Sequence, residues 1–323
     1  MKIKASVISL LLAGALSLCG CAARSAATVA PPVAPADTLE HLREDLDRIF
    51  SDPAFAGAQW GVEVLSLDRG DVLYARNSTS LYMPASNNKV LTAAAALVRL
   101  GPDFRYQTAV STDGEIVDGV LHGSLVIAGT GDPSAAARFH EDDPFRVFRE
   151  WTRRIKESGV TGIHGALIAD GRAFSEPSIG SGWEWDDLPF GYAAPVTALQ
   201  FNENLLTIEV APAEKEGDAA LVRCSPLAEC VSIESTALTA AASSRARLTI
   251  QRGDVPDSLV VSGSVPAGSA AHSRTVAIPN PARCFLLAFR KALEEEGIDV
   301  SRATVGPVIA AGGPEPAETR LLF

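Results

Sequence analysis

The feature that most restricts the fold is a change of apolar period near residue 205. From Leu205 to Ile278 the chain carries six short apolar runs: Thr207–Val210, Ala220–Cys224, Cys230–Glu234, Arg247–Gln251, Ser258–Gly263 and Thr275–Ile278. Runs this short, separated by turn residues, bury a face only as strands, so the stretch reads as a small all-β module. The flanking sequence has a different character. Between residues 105 and 205, short strand-like runs (Tyr106–Val110, Gly119–Ala128, Gly165–Ala169) alternate with one helical stretch, Pro144–Ser158, closed by Gly159. After the module, Pro281–Gly297 returns to helical spacing through Leu286, Leu287, Phe289 and Leu293. The fold class is therefore α/β (α+β), with a β-rich part set within it.

The N-terminal side adds a third region. Leu39, Leu42, Leu46 and Ile49 lie at helical spacing, and Trp60–Ser66 and Val72–Arg76 flank Leu-Asp-Arg-Gly-Asp as a hairpin would. Asn88–Leu100 is helical by propensity and stops at Gly101-Pro102. With 47% apolar and 21% charged residues, the chain can bury a core and is not a disordered polyelectrolyte. Its 28 Lys and Arg stand against 39 Asp and Glu, a net charge of −11, which excludes a general nucleic-acid binder. Gly129-Thr130-Gly131-Asp132 lacks the lysine of a phosphate loop, and no histidine falls at metal-ligand spacing, so neither a metal nor another cofactor is expected.

Residues 1–21 read as an export signal: Lys2 and Lys4, an apolar run Ala5–Leu18, then Leu18-Cys19-Gly20-Cys21. Leu-x-Gly-Cys resembles the bacterial lipobox, which would make Cys21 the acylated first residue of the mature protein; ordinary cleavage near Ala22 or Ala27 is the alternative. With no Asp after Cys21, the expectation is a periplasmic protein lipid-anchored to the outer membrane. Residues 22–38 are rich in Ala and Pro and read as a tether. In an oxidising compartment Cys224 and Cys230, bracketing Ser-Pro-Leu-Ala-Glu, are expected to form a local disulfide, with two free thiols as the alternative. Cys284 sits in an apolar helical run and reads as a small core residue.

Met83-Pro84-Ala85-Ser86-Asn87-Asn88-Lys89 contains the only S-x-x-K in a chain with six lysines. The spacing puts Ser86 near a helix start with Lys89 one turn on, along the same face. A serine hydroxyl becomes nucleophilic when a neighbour takes its proton, and a lysine does so once burial or nearby charge lowers its pKa. Amide N–H groups at a helix start favour the negative charge of acyl transfer. An N-cap serine beside a surface lysine is the plain structural alternative.

Further stretches accompany this motif in order: Gly61–Gly70 and Val72–Asn77 before it, then Leu121–Pro133, Asp170-Gly171-Arg172-Ala173-Phe174, Gly182-Trp183-Glu184-Trp185-Asp186-Asp187, Ala194–Leu199 and Asn280-Pro281-Ala282. The ordered set resembles the class C low-molecular-mass penicillin-binding proteins, the D-alanyl-D-alanine carboxypeptidase/endopeptidase family, over roughly residues 40–320. The resemblance implies a β-lactamase/transpeptidase-like domain beginning at residues 39–105. A long insertion would interrupt it, with an α/β part (106–204 and 281–323) and a β-rich part (205–280). It further implies attack by Ser86 on peptidoglycan stem peptides, Lys89 as general base, trapping by β-lactams, and Asp170 as a contact for the peptide's side-chain amino group.

The chain departs from the family pattern in two places. Beyond Ser86 it has no S-x-N or Y-x-N, and no Lys-Thr/Ser-Gly; the nearest stretch, Arg274-Thr275-Val276, lacks the glycine. In the family both motifs follow the insertion, so the expectation is a chain truncated within its catalytic domain. A non-catalytic lipoprotein that binds cell-wall peptide or a partner protein is the alternative function. A class A β-lactamase would show its second motif some tens of residues after S-x-x-K, which this chain does not, and an esterase with the same dyad is a more distant reading.

Overall fold

A computed structural model describes residues 36–175, 177–313 and 318–323. The signal, Cys21 and most of the tether lie outside the described residues. The chain folds as two units, one ending at Gly101 and the other running from Pro102 to Phe323.

The first unit holds α1 (Ala36–Phe50), an antiparallel hairpin of β1 (Val62–Leu65) and β2 (Val72–Arg76), and α2 (Asn88–Leu100). The helix α1 starts three residues before the expected Leu39, so the tether expected to reach residue 38 is shorter at its end. Gly70, at φ 75°, makes the tight return of the hairpin, where its N–H bonds the Ser66 carbonyl at 2.7 Å. Phe50 joins helix and hairpin by packing 5.1 Å from Trp60 and 6.0 Å from Tyr74, ring centre to ring centre. The Tyr74 hydroxyl donates to Asp47 of α1 at 2.7 Å. Tyr74 is the only buried side chain among the described residues of this unit.

The second unit opens with β3 (Thr108–Thr112), β4 (Glu115–Val117), β5 (Val120–His122) and β6 (Leu125–Gly129). After α3 (Arg146–Glu157) come β7 (Gly162–His164) and β8 (Ala166–Asp170). These strands form two sheets that share three crossings. The chain passes from one sheet to the other at Gly114, Gly123 and Gly165, between β3 and β4, β5 and β6, and β7 and β8. The three glycine backbones touch. A methyl at Gly165 would overlap the Gly123 carbonyl, and one at Gly123 would overlap the Gly114 backbone. The run Gly119–Ala128, expected as one strand, is therefore two strands in different sheets, because glycine permits the close approach that the bend requires.

The β-rich stretch gives seven strands where six runs were read: β9 (Leu205–Ala211), β10 (Leu221–Ser225), β11 (Ser232–Ser235), β12 (Leu238–Ala240), β13 (Arg247–Arg252), β14 (Ser258–Pro266) and β15 (His272–Ala277). In one sheet β9 lies between β10 and β15, antiparallel to both, with alternate residues buried. In the other β14 is central, with β11 and β12 parallel on one side and β13 antiparallel on the other. The missed β12 is only three residues long and carries little apolar signal.

Then α4 (Pro281–Glu295), β16 (Thr304–Ile309) and β17 (Arg320–Leu321) return to the α/β part. The large sheet runs β16-β8-β6-β3-β17, with β8 parallel to both neighbours. Asn280 caps α4 by accepting from the Arg283 N–H at 3.2 Å, with Pro281 in the first turn. The helices α3 and α4 meet through Phe148, 4.9 Å from Phe285 and 5.7 Å from Phe289. That cluster covers Leu125, Ile127 and Leu167 of the large sheet, all fully buried.

The cysteine expectation is corrected here. Cys230 is bonded to Cys284, with Cα atoms 4.7 Å apart, and Cys224 is a free, partly buried thiol. Cys224 is held in β10 opposite Ile208, whereas Cys230 ends a turn beneath α4, where Cys284 of that helix meets it. The bridge thus joins the β-rich stretch to α4 rather than closing a local loop.

Candidate active site

Pro84 opens a short 3₁₀ turn, Ala85–Asn87, that runs without a break into α2. Ser86 lies in this turn and Lys89 in the first turn of α2, so the expected helix start is there in two steps. The spacing brings the side chains together: the Lys89 ammonium donates to Ser86 Oγ at 2.9 Å. Ala85, immediately before the serine, sits at φ 44°, in the left-handed region that costs a residue with a Cβ. Both members of the pair are exposed, as is the apolar side of α2, where Val90, Leu91 and Val98 are 66% or more exposed.

Asp170 belongs to the other unit, at the end of β8. It is buried and gripped by Arg172, whose Nε and terminal nitrogen donate to the two carboxylate oxygens at 3.0 and 2.9 Å. The Arg172 backbone N–H adds a third bond at 3.1 Å. The arginine's hydrogen bonds outweigh desolvation and hold the Asp170 carboxyl below its ordinary range. Beside the pair lies a cleft of about 300 Å³ lined by Gln107, Thr130 and Ala173 among others. Sequence reading named Asp170 as a peptide contact and not Arg172 as its partner, although the Asp-Gly-Arg spacing carried the signal. Among the described residues no three His, Cys, Asp or Glu side chains gather as a metal site requires.

Residues 42–318 match the model of the D-Ala-D-Ala carboxypeptidase 3 (S13) family. The chain belongs to this family. A D-alanyl-D-alanine carboxypeptidase from Actinomadura sp. (strain R39) is 33% identical over 274 residues, covering 81% of this chain and 48% of that one. A penicillin-sensitive carboxypeptidase A from Dictyostelium discoideum is 26% identical over 272 residues, 77% of this chain and 50% of that one. This S13 chain thus spans about half the length of these curated relatives. Its fold is that of penicillin binding protein 4 from Haemophilus influenzae, with a TM-score of 0.68 at 23% identity over 86% of this chain and 58% of that one. A second structure of that protein, complexed with a β-lactam, matches with a TM-score of 0.58 at 21% identity over 81% of this chain and 53% of that one.

Proposed function

We propose that this S13 chain carries the nucleophile of a serine-type D-Ala-D-Ala carboxypeptidase/endopeptidase, in which Ser86 forms an acyl-enzyme with peptidoglycan stem peptides and with penicillin. The observation that carries the reading is the 2.9 Å contact of Ser86 with Lys89 at a helix start, in a chain of this family. In the acylation step Lys89, deprotonated, takes the hydroxyl proton as Ser86 Oγ bonds to the carbonyl carbon of the penultimate D-alanine. The bond to the terminal D-alanine nitrogen then breaks, and that amine leaves with the proton from Lys89. Water, activated by Lys89, releases the peptide and restores the serine.

Asp170 is the proposed contact for the peptide's side-chain ammonium. Arg172 keeps it ionised, and Oδ2, which accepts one bond where Oδ1 accepts two, retains a lone pair for a further donor. Export and acylation at Cys21, with attachment to the outer membrane, belong to the same proposal and are tested by radiolabelled palmitate incorporation in the wild type and in Cys21→Ala.

The deciding experiment is the intact mass of the purified chain after incubation with benzylpenicillin. One adduct per chain, lost in Ser86→Ala, is the expected outcome. A folded chain that takes no adduct overturns the enzymatic reading and favours the cell-wall-binding one, which the exposure of Ser86 and Lys89 supports.

A further inference from the structure

The smaller sheet of the α/β part runs β4-β5-β7, and its register sets a row of polar side chains across three strands. Glu115 of β4 is opposite His122 of β5, and His122 is opposite His164 of β7. Register partners point to one face of a sheet, and their neighbours along each strand point to the other. Leu121 and Ile163, on the other face, are fully buried. The row therefore faces outward, with Glu115 and His122 exposed and His164 half-buried. The two imidazole rings stand 5.3 Å apart, centre to centre, with their planes at 89°. The Ser86 chemistry makes no use of them.

The backbone beneath the row is fixed by the glycine crossing. Glu115 follows Gly114, His122 precedes Gly123 and His164 precedes Gly165. Contact between those glycine backbones holds β5 and β7 in this register, so the histidines are positioned by rigid elements rather than by a loop. Beyond β7, Asp299 pairs with Gly162, and its carbonyl accepts from the Ile163 N–H at 2.9 Å. By that register Asp299 shares the face of His164. A carboxylate thus flanks the histidine pair on either side, Glu115 from β4 and Asp299 from beyond β7.

We propose that His122 and His164 together bind a first-row divalent transition cation, with zinc the best fit. Imidazole nitrogen is a preferred donor for these ions. With a Zn–N distance of about 2.0–2.1 Å and each ring centre about 1.1 Å behind its nitrogen, two imidazoles at a tetrahedral angle have centres about 5.2 Å apart. The strands already stand at that spacing, since the rings are 5.3 Å apart. Glu115 and Asp299 add negative potential around a dication. The closed shell of a structural zinc needs four protein ligands, and no third side chain completes a group here. The site is a two-histidine clip, with water in the remaining positions. Ring packing alone would also set two rings edge to face, but it gains from cover, and His122 is exposed. Spacing along the sequence hides the pair, because the pairing of β5 with β7 across α3 is what brings it together.

The test is calorimetric titration of the full, untagged chain with zinc chloride, beside His122→Gln, His164→Gln and the double variant. One zinc per chain with a Kd in the micromolar range is expected, weakened about tenfold or more in each single variant and lost in the double one. Binding to the folded chain alone raises its stability, so zinc should raise the thermal midpoint of the wild type and leave that of the double variant unchanged. The three variants should keep the wild-type circular dichroism, and the two single variants test the site independently. Absence of zinc binding, or equal affinity in the folded double variant, overturns the proposal. So does magnesium binding as tightly as zinc, since a hard cation on oxygen donors would make this an acidic surface and not a histidine site. The proposal stands apart from the reading of Ser86: Ser86→Ala should bind zinc as the wild type does, and the double variant should keep its benzylpenicillin adduct.

Discussion

Ser86 and Lys89 face each other through one hydrogen bond where a short turn, whose first residue Ala85 has a left-handed backbone, runs into α2. Replacing Lys89 by Met should slow benzylpenicillin acylation by at least 100-fold while leaving the fold intact, as measured by the rate of adduct formation by mass. Asp170 has a pH signature of its own. Its folded pKa is depressed, so the stability it contributes is present above the ordinary carboxylate range and is lost as pH falls through the folded value. Asp170→Asn should therefore cost about 1–3 kcal/mol at pH 7, and in urea melts the difference from wild type should close as pH falls below the ordinary carboxylate range. At this scale the sequence was legible where chemistry depends on near neighbours. Ser86 and Lys89 are three residues apart, and a helical turn delivers the contact. The cysteines were not legible, because Cys284 in an apolar helix looks the same whether it packs as a thiol or meets a partner 54 residues away.

The three-glycine crossing is the element-level device on which the second unit depends. Gly165→Ala forces the backbone of Gly123 to move and should destabilise the chain by about 1–3 kcal/mol or more, seen as a lower thermal midpoint. Gly57→Ala, which adds its methyl to open space, is the matched control and should change little. Removing the bridge with Cys230→Ser and Cys284→Ser together frees a loop of 54 residues and should cost about 4 kcal/mol in the chain-entropy account. The elements themselves were readable from period: α2, α3, α4, the β1–β2 hairpin and six of the seven strands from β9 to β15 follow their apolar spacing. The bend between β5 and β6 was not. An apolar run with a glycine in it looks continuous unless the backbones that cross it are known.

The two units differ in what they bury. The second has a continuous core from the sheets through α3 and α4, whereas the first encloses only Tyr74 among its described residues and leaves the apolar side of α2 to solvent. Hydrogen exchange should reflect this, with amides of α2 and of the β1–β2 hairpin exchanging well before those of α4. The change of period near residue 205 marked the β-rich stretch from sequence, but the gap in burial between the units was hidden, since Asn88–Leu100 is as apolar as a helix that is covered. Cys224, the unpaired cysteine among the described residues, has a practical consequence for such measurements. Burial, with the nearby Glu229, pushes the Cys224 thiol up to about 11, so at pH 8 only about one molecule in 1,000 carries the reactive thiolate. The thiol would regain ordinary reactivity once β10 separates from β9. Maleimide capture at that one atom is then a stopwatch for opening of the β-rich sheet, built into the native chain and needing no added label site.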